Sequence, residues 1–257
     1  MKKWMILLTV LSVLLAMISC QKKATVTNLN DLRGRTIGVQ KGTIMGEEVS
    51  AALPTAKIKQ YLDLDEALAD LQLGSIDAMA EDVPVLLNIA RVTPGLKVLD
   101  KLVTEDKYAL ATAMNRPDLK RVMDKVIDDL KRDGTFDAML KRWFSAEGAH
   151  GSMPEIRLSD KNGVLKFGTS ADSEPFSFLD KNSNPIGFEI ELAHYIAREL
   201  GMGLEVRTMP FTTLIPNVIA HKVDIIGACI TITEFRSEHV LFSTSHYTGG
   251  IGLLVRK

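Results

Sequence analysis

Apolar and polar positions follow two rhythms along this chain, and the places where the rhythm changes divide it into elements. Ile37 and Val39 flank Gly38 in a short apolar run that ends at Lys41-Gly42-Thr43, the pattern of a buried strand closed by a glycine turn. A helix then carries Val49, Ala52 and Leu53 on one side until Pro54 stops it. Between Asp63 and Gly74, Leu64, Ala67, Leu68 and Leu71 recur at helical spacing, behind an acidic start and before a terminal glycine. Strands are predicted over 76–80, 96–99 and 108–114, and a helix over 83–89. Alternation of this kind implies a parallel sheet with helices on both faces.

Pro117 opens an amphipathic helix with Leu119, Val122, Met123, Val126, Ile127 and Leu130 on one face, ended by Gly134. Phe136, Met139, Leu140, Trp143 and Phe144 mark a second helix. Residues 145–163, with Gly148, Gly151, Pro154 and Gly163 among polar neighbours, read as a linker. The alternation then restarts, with strands over 164–169, 204–207 and 223–228 and helices over 188–200 and 214–220. Segments 68–82 and 218–231 each run helix, turn, strand, and each enters its strand through an aspartate, Asp77 or Asp224. They read as equivalent units of two similar α/β lobes.

Composition narrows the functional classes. With 46% hydrophobic and 25% charged residues, a net charge of -1 and no lysine or arginine block, the chain is globular and lacks the electrostatic footprint of a nucleic-acid binder. Lys2 and Lys3 precede an apolar run from Trp4 to Ile18, too short for a stable membrane span and patterned like an export signal. Met17-Ile18-Ser19-Cys20 resembles a bacterial lipobox, which implies an acylated Cys20, a signal over 1–20 and a tether over 21–30. A plain signal peptide with an incidental cysteine is the alternative. Cys229, the only other cysteine, lies in an apolar run predicted as strand and reads as a small buried hydrophobe, so no disulfide is expected. The five histidines show no HExxH motif, and neither metal nor cofactor is expected.

In open α/β sheets ligands bind beyond the carboxyl ends of strands. Those positions here are Gly42-Thr43-Ile44, Glu81-Asp82, Ser170 to Ser173 and Cys229 to Thr231, with Arg236 close behind. A free amino acid entering a dry cleft needs a partner for each of its charges. Arg236 offers a planar fork for a carboxylate, and Asp82 an acceptor for an ammonium.

Longer motifs then carry a resemblance. "GTSADSEPFSFLD" from Gly168, "GFEIELAHYIARELG" from Gly187 and "ITITEFR" from Ile230 resemble the polar-amino-acid periplasmic binding proteins, solute-binding protein family 3. "DLRGRTIGVQKGT" from Asp31, "LGSIDAMAEDVP" from Leu73 and "DLKRDGTFDAMLKRWF" from Asp129 resemble that family's second lobe and closing helix. The resemblance implies a two-lobe periplasmic binding protein type II fold that captures an amino acid and catalyses nothing. It implies Arg236 and Thr231 as carboxylate ligands, Asp82 as the ammonium ligand, Thr43 assisting from the other lobe and Phe211 as a wall. Gln40, Ile44, Ser170, Ser173 and Cys229 complete the expected lining. Ser170 stands where the family often has Asp, and Ser173 where it has an aromatic ring.

The implied partners are an amino acid, the permease of an ABC importer and, through the lipid, a membrane. The implied setting is the periplasm or cell surface, and the implied state a monomer. The order of the halves departs from the family and reads as a circular permutation. It gives a second-type lobe over 31–112, hinge and helices over 113–144, a linker over 145–163 and the other lobe over 164–257. One covalent crossover, near 111–115, is expected to remain, leaving the empty protein more open. A fragment spanning two tandem copies is the competing account of that order. A sensory module for a membrane receptor is one functional rival. A periplasmic dehydratase on the same fold, using Glu81, Asp82 or Glu174, is the other.

Overall fold

The computed structural model describes residues 25–145 and 151–257. The expected signal, Cys20 and most of the expected tether lie outside the described residues, as do 146–150 of the linker. From Val26 the chain already belongs to the core: Val26 and Leu32 are buried with Leu99 and Leu253. The tether expected up to residue 30 therefore ends earlier.

The first half runs β1 (Thr36–Gln40), α1 (Met45–Ala52), β2 (Lys57–Tyr61), α2 (Leu64–Leu73), β3 (Ala78–Asp82), α3 (Val83–Val92) and β4 (Leu96–Val98). It continues through β5 (Asp106–Tyr108), β6 (Ala111–Ala113), α4 (Pro117–Arg132) and α5 (Thr135–Trp143). After the linker come β7 (Val164–Thr169), β8 (Asp172–Ser173), β9 (Ser177–Leu179), β10 (Pro185–Ile186), α6 (Phe188–Leu200) and β11 (Gly203–Thr208). The last stretch holds α7 (Leu214–Ile219), β12 (Ile225–Ile226), α8 (Glu234–Ser237), β13 (Val240–Phe242), β14 (Tyr247–Gly249) and β15 (Ile251–Arg256).

Two five-stranded sheets share one plan, with orders β2-β1-β3-β15-β4 and β11-β7-β12-β6-β13. In each, the first three strands are parallel, and an antiparallel strand from the far half of the chain is inserted beside the third. The repeated aspartates explain how the plan is built twice. Asp77 N–H donates to Thr36 O at 2.8 Å and its carboxylate accepts from Thr36 N at 3.1 Å. Asp224 makes the same pair of bonds to Lys166, both 2.8 Å. Each aspartate thus clips the entry of the third strand to the start of the central one, satisfying backbone groups before the ladder begins.

Residues 164–257 do not form a single lobe as expected. β15 pairs with β3 and β4 in the first sheet, where Ile251, Leu253, Leu254 and Val255 bury their side chains. The strand expected over 108–114 also divides: β5 pairs with β14, whereas β6 enters the second sheet between β12 and β13. Two crossovers result, β5 to β6 and β14 to β15, in place of the single one expected near 111–115. No hinge strand is missing, so the expectation of an empty protein opened by such a loss has no structural basis. The β5–β14 ribbon joins the lobes.

Helices α4, α5 and α6 pack on the second sheet as their apolar spacing predicts. Leu119, Met123, Val126, Ile127 and Leu130 of α4 join Ile190, Ala193, Ile196 and Ala197 of α6 in one core. Glu191 of α6 is fully buried, yet it accepts from Arg142 Nη1 at 2.6 and 2.8 Å and from Trp143 Nε1 at 2.6 Å. This fixes the end of α5, from which the linker departs. Of the linker's described residues, Met153, Ile156 and Leu158 pack on that same core.

Asp77→Ala removes the acceptor of the Thr36 amide, and we expect a loss of about 1–3 kcal/mol in urea unfolding. Asp224→Ala should cost less, because the Asp224 side chain is 29% exposed against 4% for Asp77 and water replaces part of what is lost.

Candidate functional site

The carboxyl ends of β1, β3 and β7, the turn after β12 and the start of α8 face one another across the gap between the sheets. Gly42 allows the close approach. Its φ is +84°, and a Cβ there would stand 2.7 Å from Thr212 Cγ2 of the other lobe. Gln40, Thr43, Ile44, Met45, Glu81, Asp82 and Ile251 line the space from the first lobe. Ser173, Phe211, Ala228, Cys229, Thr231 and Arg236 line it from the second. The lobes stand closed: the cavity has room of about 10 Å³, close to that of a single water. Nothing larger than a water fits there until they part.

Asp82 occupies the N-cap position of α3, but its side chain makes no cap hydrogen bond. The carboxylate accepts from Tyr108 Oη, on the ribbon. Tyr108 is itself fixed by a stack on Tyr247, with ring centroids 6.0 Å apart and planes within 7°, and by a bridge to Thr231. Burial pushes the Asp82 carboxyl up to about 7, against the opposing hydrogen bond from Tyr108. Glu81 beside it is pushed well up too, first by burial and then by Asp82.

Arg236 is 6% exposed, on a short helix whose first turn is capped by Thr233 Oγ1 accepting from Arg236 N at 3.1 Å. Its Nη1 donates to Thr231 O at 3.0 Å and its Nη2 to Gly42 O, across the gap, at 3.4 Å. Its guanidinium lies 5.7 Å from the Phe211 ring centroid. Burial holds Arg236 below the usual arginine range, with Asp82 opposing. In this closed state backbone carbonyls of both lobes occupy its donors.

The other expected residues have definite places. Thr43 Oγ1 donates to Gln40 O at 2.7 Å, so its hydroxyl shapes the loop. Gln40 Nε2 donates to Asp172 Oδ2 at 2.8 Å, a latch between the lobes, and Ser173 Oγ donates to Asp172 Oδ1 at 3.2 Å. Cys229 does not lie in a strand, because β12 ends at Ile226. It sits at φ +51°, with its N–H 3.3 Å from both carboxylate oxygens of buried Glu189, which in turn stands 2.9 Å from His246 Nε2. Burial and Asp82 push the Cys229 thiol well up, which suits the inert reading. Ser170 is not part of this lining. It faces a neighbouring groove between the lobes, with Leu62, Asp172 and Met209, because the backbone turns at Ala171, φ +55°.

Tyr108 and Glu189 escape sequence reading because their roles depend on contacts with segments distant in the chain. The strand-end rule reaches Glu81 but gives it no part in ligand binding.

Residues 165–257 match the bacterial extracellular solute-binding proteins, family 3. The chain is 32% identical over 129 residues to ABC transporter arginine-binding protein 1 of Escherichia coli, covering 48% of this chain and 53% of that protein. It is 26% identical over 133 residues to the L-cystine-binding protein TcyJ of Escherichia coli, covering 51% and 50%. It thus spans about half the length of these curated relatives. Among solved structures it is similar to the arginine-bound form of domain 1 from TmArgBP, at 41% identity and a TM-score of 0.32, covering 37% of this chain and 82% of that one.

A carboxyl raised by folding stabilises the fold most when protonated. Stability of the ligand-free protein should therefore fall as pH rises from the ordinary carboxylate value of 3.8 to about 7, the range in which Asp82 is ionised in the unfolded chain but still protonated in the folded one. The fall due to Asp82 is at most roughly 4 kcal/mol. Urea midpoints at a series of pH values check this. Asp82→Asn should flatten the decline, and Glu81 should keep a residual slope; equal slopes in the two proteins would exclude Asp82 as its source.

Proposed function

We propose that this chain, whose residues 165–257 match the bacterial extracellular solute-binding proteins of family 3, captures a free amino acid between its lobes and delivers it to an ABC importer. The observation that carries the reading is the placement of Arg236 and Asp82, buried and on opposite lobes, on the lining of one cavity. A ligand carboxylate takes the guanidinium donor now given to Gly42 O, with Thr231 beside it, while the ammonium takes Asp82 and leaves Tyr108 as its support. Each end of the zwitterion then holds a different lobe, so binding favours closure. Gln40 and Asp172 latch the closed form, Ser173 and Phe211 border the side chain, and Thr43, Ile44 and Cys229 supply the remaining wall.

The same proposal includes a lipid anchor at Cys20 and a single copy of the chain at work outside the cytoplasm. It also includes a permuted order of halves. β15 and β1 lie in one sheet with only β3 between them, so the family-like order, β15 before β1, and the observed order build the same sheet.

Thermal unfolding of the ligand-stripped protein against the twenty amino acids tests the core of this reading. A ligand at a thousand times its dissociation constant adds about 4 kcal/mol and raises the midpoint by roughly 8 to 16 °C. Arg236→Ala should abolish the shift. A cooperative transition that no amino acid moves would overturn the assignment.

A further inference from the structure

Glu81 lines the same cavity as Asp82, is 2% exposed, and has no part in the binding scheme above. Its Oε1 accepts from the Asp82 amide at 3.1 Å. Its Oε2 is buried and has no hydrogen-bond partner among the described residues. The charges on the lining are unequal: Arg236 is its cation, Glu81 and Asp82 are its anions, and Asp172 lies just behind Gln40. A zwitterion paired with Arg236 and Asp82 leaves Glu81 uncompensated, and an unpaired buried carboxylate is strongly unfavourable.

A proton on Glu81 removes the charge but creates a donor in need of an acceptor, and among the described residues none stands within reach of Oε2. A cation on the ligand satisfies both the charge and the free oxygen. We propose that Glu81 receives a positively charged ligand side chain, so that the amino acid bound is one with a second ammonium or a guanidinium group. This rests on the receptor reading and narrows it. Amino acids with anionic side chains are excluded by the same carboxylates.

Titration calorimetry on the full chain, stripped of ligand, separates the possibilities with matched pairs: arginine against citrulline, which is near its shape but neutral, and ornithine against norvaline. The cationic member of each pair should bind roughly 10- to 100-fold more tightly, the range of a charged hydrogen bond. Glu81→Gln should erase that preference while neutral amino acids still bind, and Glu81→Met, also uncharged, should do the same. If citrulline and norvaline bind as tightly as their cationic partners, or if both variants retain the preference, the Glu81 assignment falls and the receptor reading stands. If the wild-type chain binds none of the twenty amino acids, both fall.

Discussion

The backbone pairing of β5 with β14, Tyr108 opposite Tyr247 and Asp106 opposite Gly249, is the constraint from which the rest of the molecule follows. Each strand leaves the ribbon for the sheet opposite its origin, β5 into β6 of the second sheet and β14 into β15 of the first. Neither sheet is complete without a strand from the other half of the chain. The two lobes are therefore built together, while the ladder that joins them among the described residues is two strands wide. Such a narrow connection absorbs changes in backbone angle that two packed sheets cannot, and this is how hinge closure works.

The ribbon also sets the chemistry of the cleft. Tyr108 reaches Asp82 of one lobe through its hydroxyl and Thr231 of the other through its backbone. The stack of Tyr247 on Phe144, centroids 4.7 Å apart, extends the same platform to the end of α5. A shift in the hinge is thus felt at Asp82 and at the loop that leads to Arg236.

Around the cavity, charges have been taken out of water and only partly compensated. Arg236 is held by carbonyls of both lobes, Asp82 by a phenol, and Glu189 by the Cys229 amide and His246. Glu81 has less than any of these. A closed cleft with an excess of buried carboxylate is stabilised by a ligand that brings positive charge, and it discriminates against one that does not. On the proposed reading, binding, closure and selectivity share a physical origin, the desolvation of the same few groups.

Much of this was legible in the chain itself. The apolar periods located most of the helices and the parallel strands, because spacing of 3.6 or 2 is a local property that burial on one face enforces. The paired aspartates Asp77 and Asp224 marked the two equivalent units, and the strand-end rule with the family motifs brought Arg236, Asp82, Thr231, Thr43 and Phe211 into consideration. What the sequence could not decide was partnership at long range. The splitting of 108–114 between ribbon and sheet, the passage of β15 into the first sheet, the departure of Ser170 from the cavity and the isolation of Glu81 all depend on residues far apart in the chain. Local pattern records which face of a segment is apolar; only the assembled fold decides which distant segment covers it, and so which buried charge is left without a partner.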